Sequence, residues 1–514
     1  MTEICLYNKK LNSNTDYNVW FAFPECRAFS LSSLGYLWLY KELEELENVA
    51  VEMINTDTEL TQINVSNVDC VAFSFSFDLD FLNIFKLLDK YNIPLKRSER
   101  GENYPFVFAG GPVLTCNPMP YSEIFDFIII GDGEGVNTKA VQICRENRNL
   151  PKEDVLKLLS EVEGVYVPSI HTIDNPVKKS SVELNHCVYT PIISDESFFR
   201  DTFIVESSRG CYNRCGFCIA SYLNLPARFV DYDTIIEKLE MGLKYTNKIA
   251  LLGALVTAHP RFDDICKFIM DKINSGIDIE MSVSSLRVDT ISPEIVNMLV
   301  KTGQKHLTIA IEAASERLRK VINKNVTEEQ LRNAIKIAKE NGLKGVKIYC
   351  MLGLPTETQA DIDEFLRLAK DLKTEFKGFG VTFSFSTFVP KPHTPFQWFG
   401  REDTKIIDSK IKYLTKGFHK LGVDARFSSP KWDYYQTLLS KGDSNLTDYL
   451  INVYKEGGKL GAFKKCAKEL GINTDEYVLK DSKLDDELPW DVITITNPGK
   501  KILQNENRRL MKRA

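Results

Sequence analysis

Apolar residues in the first part of the chain fall into short, nearly continuous runs that are separated by amphipathic segments. Val68–Ser76, Phe106–Ala109 and Phe127–Ile130 are such runs, and this pattern is typical of parallel strands that are buried on both faces. Ser32–Leu46 carries its apolar residues at helical spacing instead. The pattern therefore predicts a Rossmann-like, doubly wound parallel sheet over residues 1–150.

A connector over residues 151–195 leads into residues 196–425, where one strand and one helix alternate regularly. Thr327–Gln330 has the sequence of a capping box and marks the start of one of these helices. The predicted strands are Thr202–Glu206, Ile249–Leu252, Ile279–Ser284, Leu307–Ile311, Val346–Met351 and Gly380–Ser386. Six such units predict a partial (β/α)6 barrel, in which functional residues follow the carboxyl ends of the strands. Residues 426–514 predict a small helical C-terminal region, so the fold class is α/β.

Length and charge narrow the function classes. A chain of 514 residues exceeds a single ordinary core, and 65 basic against 70 acidic side chains give a net charge of −5. This balance gives no electrostatic reason for the whole surface to bind nucleic acid or membranes. The basic tail, 508–513, is expected to be a solvated surface segment. Without a signal-peptide core or a long apolar window, we expect a cytoplasmic protein that does not enter a membrane.

Twelve cysteines in a reducing compartment call for an explanation other than a disulfide framework. Nine of them are scattered singly and are expected to be small buried side chains. The other three, Cys211, Cys215 and Cys218, form a C-x3-C-x2-C motif directly after the first predicted barrel strand. A loop of this length can hold three irons of a 4Fe–4S cluster and leave the fourth open. The alternative is a zinc site, completed by His186 or Cys187, which lie at least 24 residues upstream.

With Phe217 before its last cysteine, this motif resembles that of the radical S-adenosylmethionine (SAM) superfamily. Ala310–Leu318 is similar to the family's Gly-Ile-Glu-x-x-Ser-Glu-Arg stretch, and Tyr349–Glu357 is similar to its adenine-side strand. Gly253–Leu255 departs from the family, which has Gly-Gly-Glu there. Nearly end to end, the chain resembles a branch with an N-terminal cobalamin-binding-like domain. The stretches that carry this wider resemblance are 32–36, 109–112, 130–134, 388–398, 441–443 and 488–491.

The resemblance implies that the open iron binds the methionine end of SAM and that reductive cleavage gives a 5′-deoxyadenosyl radical. It implies that Glu312 contacts the ribose or amine, that Arg317 pairs with the carboxylate, and that Gly353 lets the backbone approach the adenine. Ser284 and Ser285 would bind the ribose. Turn positions or a surface ion pair explain the same residues without a cofactor. The chemistry also implies an electron donor such as flavodoxin or ferredoxin.

The branch further implies cobalamin at the carboxyl ends of the N-terminal strands, which share one edge of a parallel sheet. Glycines there let a flat macrocycle approach the backbone, and hydroxyls can bind its side arms. The residues concerned are Ser74, Ser76, Gly110, Gly111, Gly131 and Gly133. The Asp-x-His-x-x-Gly triplet of methionine-synthase-type domains is absent, so no histidine of such a loop would bind the cobalt. For alkyl transfer, this edge must face the open end of the barrel.

These observations favour a cobalamin-dependent radical SAM enzyme that transfers a methyl or alkyl group to an unactivated carbon. One alternative is a cobalamin-free radical SAM enzyme that modifies RNA or protein and uses its N-terminal domain to bind a partner. A second is a non-catalytic iron–sulfur electron-transfer protein. An open iron argues against the second alternative, because an electron carrier gains nothing from it.

Overall fold

The structure is a computed structural model that describes residues 3–8, 15–59, 67–284, 286–495 and 499–514. Its strands are β1 Glu3–Cys5, β2 Tyr17–Ala22, β3 Val49–Ile54, β4 Cys70–Ser74, β5 Phe106–Gly110, β6 Phe127–Ile129, β7 Val165–Tyr166, β8 Val177–Lys178, β9 Ile192–Ser194, β10 Thr202–Arg209, β11 Arg228–Phe229, β12 Lys248–Gly253, β13 Glu280–Val283, β14 His306–Glu312, β15 Gly345–Leu352, β16 Gly380–Thr387, β17 Asp424–Phe427 and β18 Ile493–Thr494. Its helices are α1 Arg27–Ser30, α2 Leu34–Glu44, α3 Phe81–Lys90, α4 Pro112–Cys116, α5 Val136–Glu146, α6 Lys152–Ser160, α7 Tyr232–Gly242, α8 Phe262–Asn274, α9 Pro293–Lys301, α10 Glu316–Val321, α11 Glu328–Glu340, α12 Gln359–Glu375, α13 Thr404–Leu421, α14 Pro430–Lys441, α15 Leu446–Lys455, α16 Leu460–Glu469, α17 Thr474–Val478 and α18 Lys500–Met511. No helix in these ranges is both long and apolar enough to cross a membrane.

Five parallel strands in the order β3-β2-β4-β5-β6 form the N-terminal sheet, and the antiparallel β7 extends it at one edge. Helices α2, α5 and α6 cover one face of this sheet, and α3 covers the other, each with its own apolar cluster. The strands are nearly continuous apolar runs because both of their faces are covered. The predicted doubly wound sheet is confirmed. Its strand order reverses at β2, and ligands of such sheets bind outside the strand ends at this point.

The barrel consists of two parallel sheets, one containing β10, β12 and β13 and the other containing β14 to β17. A parallel bridge between Leu286 and Ile309 joins them. Six helices pack outside and share one core with outward-facing residues such as Ile309, Ile348 and Phe383. The six predicted strands are all present, which confirms the partial barrel. The sequence pattern did not predict β17, which adds one further parallel strand.

The predicted capping box is present at the start of α11. The backbone N–H of Gln330 donates to Thr327 Oγ1 over 3.1 Å, and the N–H of Thr327 donates to Gln330 Oε1 over 2.9 Å. The two hydrogen bonds pair N–H groups at this helix end that have no partner within the helix.

Helices α14, α15 and α16 pack on the N-terminal domain. Tyr435 and Phe463 of these helices lie 4.2 Å apart between ring centroids, and Phe463 also contacts Phe81 of α3 edge-on. Lys391 of the barrel meets both other regions at this junction, since its Nζ lies 3.0 Å from Asp78 Oδ2 of the N-terminal domain and donates to Ser440 Oγ of α14 over 2.7 Å. The C-terminal helices thus bind the two larger regions together.

The basic tail, which was predicted to be a solvated surface segment, does expose cations, but its residues 508–511 also form the last turn of α18. Leu503, Asn507 and Leu510 are buried on one face of this helix, at the four- and three-residue spacings that share a helix face. Leu510 joins an apolar cluster with Leu318 and Phe396 of the barrel. Surrounding charges hid this narrow apolar stripe in the sequence.

Candidate metal centre and the adjoining cavity

The three cysteines of the motif lie in the loop after β10, at the carboxyl end of the barrel strand. Cys211 and Cys215 are buried, and Cys218 is half-buried. Burial raises the pKa of Cys215 to about 12, and Lys324, Cys218 and Cys211 all act electrostatically on that thiol. Burial also raises the pKa of Cys218. The three thiols therefore share one environment, and metal binding there must displace their protons.

Within the described part of the chain, no three His, Cys, Asp or Glu side chains form a group that could hold a single metal ion. The zinc alternative therefore gains no support from His186, which stacks on Trp38, or from Cys187, whose thiol contacts the carbonyl of Glu206. Three thiolates on separate irons are the donor set of a 4Fe–4S cluster that lacks a fourth protein ligand. The residues present fit such a cluster.

Backbone contacts fix the shape of the cysteine loop. Gly210 has a φ of +78°, and a Cβ there would lie 2.2 Å from the carbonyl oxygen of Asn224. Arg214 also has a positive φ, +54°. Its carbonyl accepts hydrogen bonds from Asn323 Nδ2 and from Tyr222 Oη, each 2.9 Å long. These contacts hold the loop in one conformation.

Glu312 lies beside this loop, at the end of β14. Its φ is +65°, and the register of β14 against β15 shifts between Ala310 and Glu312. Such an irregularity turns the side chain away from the regular strand direction. Glu312 Oε1 lies 3.1 Å from Lys324 Nζ, and both side chains are only 13% exposed. Their charges act on the thiol of Cys215, so the pair lies next to the candidate cluster.

Lys324 is a site residue that the sequence analysis missed. Burial lowers the pKa of Lys324, but the charge and hydrogen bond of Glu312 together with the charge of Cys215 outweigh this effect and leave that pKa raised. Lys324 therefore stays protonated beside the cysteines. No motif marks it, because it follows a short helix and reaches the site only through the fold.

Arg317, which is predicted to contact SAM together with two serines, is paired within the protein. Arg317 pairs with Asp361, 2.5 Å away, and donates to the carbonyl of Thr356 over 2.8 Å. Ser284 is exposed after β13, and Ser285 lies outside the described residues. The contact of Arg317 with the methionine carboxylate stays a prediction.

Gly353 follows β15 with a φ of +77°, and a Cβ there would lie 2.8 Å from Ile407 Cδ1. Its N–H donates to Glu357 Oε1 over 3.0 Å. Glu357 in turn pairs with Lys410, and burial raises its pKa. The positive φ thus favours glycine at this position without a cofactor.

A cavity of about 310 Å³ lies between the N-terminal sheet and the barrel. All six residues predicted at the strand ends line it: Ser74, Ser76, Gly110, Gly111, Gly131 and Gly133. From the barrel side come the strand-end residues Glu206, Arg209 and Leu252, and from the segment after Cys218 come Ile219, Leu223 and Asn224. The fold therefore brings the N-terminal strand ends and the cysteine loop to one cavity.

Two of these glycines have a structural requirement of their own. A Cβ on Gly111 would lie 2.4 Å from the carbonyl oxygen of Phe75, and one on Gly131 would lie 2.2 Å from that of Ser180. Gly35 also lines the cavity, but no atom outside its own helix lies within 4 Å of its Cβ position. Gly35 is therefore the cavity-lining glycine at which a side chain can be added without displacing a neighbouring atom.

A buried charge network forms one wall of the cavity. Arg209 contacts three carboxylates, with nitrogen–oxygen distances of 3.1 Å to Asp132, 2.7 Å to Glu134 and 2.8 Å to Glu206. Burial lowers the pKa of Arg209, but Glu206 and Glu134 outweigh it and leave that pKa raised. Arg228 also pairs with Asp132, at 2.8 Å. The network links the Gly131–Glu134 loop to the residue before Gly210, and no local sequence pattern indicates it.

Comparisons with known proteins agree with this arrangement. A family model described as "Radical SAM proteins, N-terminal" matches residues 37–168, and one described as "Radical SAM superfamily" matches residues 205–369. An uncharacterised protein of Methanocaldococcus jannaschii is 32% identical over 423 residues, which is 81% of this chain and 88% of that protein. An uncharacterised methyltransferase of Pyrococcus horikoshii is 26% identical and covers 59% of this chain and 67% of its own length.

Two solved structures share the fold. The cobalamin-dependent SAM radical enzyme OxsB, with aqua-cobalamin and SAM bound, matches with a TM-score of 0.52 and 15% identity over 96% of this chain and 79% of its own. The radical SAM methyltransferase TsrM from Kitasatospora setae, with cobalamin and a [4Fe–4S] cluster bound, matches with a TM-score of 0.51 and 13% identity over 74% of this chain and 77% of its own. At these identities the likeness shows a common fold.

Proposed function

Because the chain belongs to the radical SAM superfamily and is thus an enzyme that uses a 4Fe–4S cluster and SAM, we propose that it is a cobalamin-dependent transferase. The proposed reaction moves a methyl or related alkyl group to an unactivated carbon. The cluster and SAM together supply a radical that removes a hydrogen atom from carbon, and cobalamin supplies the alkyl group. The chain's own residues bind, orient and shield these groups.

The shared cavity carries the proposal. Alkyl transfer requires the cobalt and the radical source to face one substrate, and one cavity here is lined both by N-terminal strand ends and by residues just after Cys218. If the N-terminal domain only bound a partner, nothing would require its strand ends to face the barrel. The cobalamin bound in OxsB and TsrM supports the same function for a chain of this fold.

The cavity lining also suits a corrinoid. Aromatic side chains such as Tyr36, Trp38 and Phe108 provide apolar walls, while Ser74 and Ser76 provide hydroxyl groups for amide side arms. No histidine is among the described residues that line the cavity. We therefore propose that cobalamin binds here without a histidine ligand from the lining.

At the metal centre, we propose that Cys211, Cys215 and Cys218 hold the cluster and that Glu312 binds the amine or ribose of SAM. Lys324 would orient the carboxylate of Glu312 through the 3.1 Å ion pair. Ser284, Ser285, Arg317 and Gly353 remain proposed contacts of SAM.

Cobalamin titration of the purified protein, followed through the corrin absorbance, tests the proposed function. Wild type is expected to bind methylcobalamin, and Gly35→Phe is expected to bind it more weakly because the ring would occupy the cavity. Gly461→Phe is the matched control, since Gly461 is also helical, also has nothing near its Cβ position and does not line the cavity. If wild type does not bind methylcobalamin, or if Gly35→Phe binds it like Gly461→Phe, cobalamin does not occupy this cavity.

A further inference from the structure

Helix α18 packs directly against the loop that carries the cysteines. A Cβ on Gly216 of this loop would lie 2.7 Å from Leu510 Cδ1, so the two segments are in close contact. Asn323 connects them further, because its Nδ2 donates to the carbonyl of Arg214 over 2.9 Å and its Oδ1 accepts from Arg513 over 3.1 Å. The end of α18 is therefore two hydrogen bonds away from the backbone of the cysteine loop.

This part of the surface is strongly basic in an otherwise acidic protein. Five exposed cations surround the contact, and we call them the basic face: Arg214, Lys320, Arg508, Lys512 and Arg513. Two ion-paired acids lie next to these cations. Glu506 is paired with Arg509 at 2.7 Å and Glu316 with Lys320 at 2.8 Å. The basic face keeps a net positive charge, against −5 for the whole chain.

We propose that the basic face is the docking surface for an acidic one-electron carrier protein of the flavodoxin class. One electron passes from the reduced flavin of the carrier to the cluster, so the flavin is oxidised by one electron and the cluster is reduced from its 2+ to its 1+ state. No bond forms or breaks in this step. The rate of electron transfer falls steeply with distance, so the carrier must dock against the cluster loop, and the basic face borders residues 213–216 of that loop.

The position of the face favours an electron carrier over RNA. An RNA substrate would have to place its reacting atom in the cavity, which is lined by residues 219, 223 and 224 at the other end of the loop. A reductant only has to reach the outer side of the loop, where Arg214 is exposed. Opposite charges on the two proteins also steer encounter and raise the association rate at low salt.

The rate of cluster reduction tests the proposal. Arg508→Glu/Lys512→Glu reverses two cations for which the structure shows no contact with the cysteine loop. The control is Lys301→Glu/Lys305→Glu, since both lysines are exposed at the amino ends of the barrel strands, away from the cysteines. Reconstituted proteins are mixed anaerobically with reduced flavodoxin, and loss of the cluster's visible absorbance is followed without SAM or cobalamin.

At low ionic strength the basic-face variant is expected to be reduced at least about tenfold more slowly than wild type and the control. The difference should shrink as salt screens the charges. Dithionite, a small reductant that needs no docking surface, should reduce all three proteins alike, which shows that their clusters are intact. Calorimetric titration with oxidised flavodoxin should show the same loss of binding.

Equal reduction of all three proteins by flavodoxin would overturn the proposal. It would also be overturned if the basic-face variant bound tRNA more weakly than wild type but was reduced by flavodoxin at the wild-type rate. The face would then be a binding surface for RNA. The experiment needs the cluster but not cobalamin, so its outcome is independent of whether the proposed alkyl transfer is correct.

Discussion

Arg209 offers the most direct test of how the cavity is held together. It lies between the N-terminal domain and the barrel and faces Asp132, Glu134 and Glu206, and its side chain is 17% exposed. Arg209→Met keeps most of the side-chain volume but removes the cation. Arg228 still neutralises Asp132, at 2.8 Å, so the loss falls mainly on Glu134 and Glu206.

The magnitude follows from the burial of these partners. The three carboxylate side chains are 10–12% exposed, and removing one partner of a buried ion pair typically costs about 3–5 kcal/mol because the other charge stays buried. We expect Arg209→Met to lower the free energy of unfolding by about 3–5 kcal/mol near neutral pH. Adding Glu134→Gln to Arg209→Met should restore part of the lost free energy of unfolding, since one fewer buried carboxylate then remains without its cation.

The pH dependence has a definite sign. Burial raises the pKa of Asp132, but the charges of Arg209 and Arg228 outweigh it and leave that pKa lowered. In wild type this stabilisation is present above the ordinary carboxyl pKa and is lost as the pH falls through the lowered value. Without Arg209, Asp132 keeps only Arg228 as a cationic partner and therefore takes up its proton at a higher pH. The difference in the free energy of unfolding between wild type and Arg209→Met should therefore become smaller as the pH falls from about 8 to about 5.

Denaturant unfolding of the cluster-free protein, followed by circular dichroism, measures these differences. Arg332→Met is a matched control, because Arg332 also faces three carboxylates, Glu328, Asp371 and Glu375, whose side chains are 27–44% exposed. Exposed pairs are worth about 0–1 kcal/mol. If each variant lowers the free energy of unfolding by less than about 1 kcal/mol, the Arg209 network does not behave as a buried one, and the expected cost of about 3–5 kcal/mol is wrong.

Three further outcomes are expected. Changing the three motif cysteines together to alanine should remove the iron of an anaerobically reconstituted preparation, whereas Cys350→Ala, in the barrel core, should retain it. Burial lowers the pKa of His393 to about 3, so its stabilisation of the folded state is present above the unfolded pKa of about 6.5 and is lost as the pH falls. In denaturant unfolding, the free energy of unfolding should fall between about pH 7 and about pH 5 in both proteins, and this fall should be about 2 kcal/mol smaller in His393→Asn than in wild type. Arg317→Ala should lower the free energy of unfolding by about 1–3 kcal/mol, because Asp361, which is 4% exposed, loses its charged partner. An unchanged free energy of unfolding would show that the pair with Asp361 does not stabilise the fold, which would leave Arg317 available to contact SAM.

Local patterns sufficed for six strands of the barrel, for three strands of the N-terminal sheet and for the cysteine motif. Continuous apolar runs such as Phe106–Ala109 reflect burial on both faces of a strand, which acts on each residue independently of the rest of the fold. The capping box at Thr327 is likewise a short-range arrangement. Strand limits differ by a few residues, as for the first barrel strand, which was predicted to end at Glu206 and ends at Arg209.

Contacts between segments that are distant in the sequence could not be predicted from such local patterns. Lys324 approaches Cys215 across more than a hundred residues, and Arg209 meets Asp132 through the packing of two domains. The six strand-end residues could be placed at one edge because parallel strands share it. That the edge faces the barrel depends on the C-terminal helices, whose apolar residues join the N-terminal core, and no local signal encodes this.

Backbone strain points to the same part of the molecule. In the described part of the chain, eight non-glycine residues have a positive φ, and four of them are Asn or Asp, which tolerate that region. The other four are Arg214, Glu312, Thr356 and His393, and such conformations cost about 1–3 kcal/mol each. Arg214 lies in the cysteine loop, Glu312 lies beside it, and Thr356 accepts from Arg317 near the end of β15. Each strained conformation persists only where its neighbours hold it, as Asn323 and Tyr222 hold Arg214. Contacts within the protein therefore hold the cysteine loop in one conformation, which favours a site whose ligands are positioned by the fold.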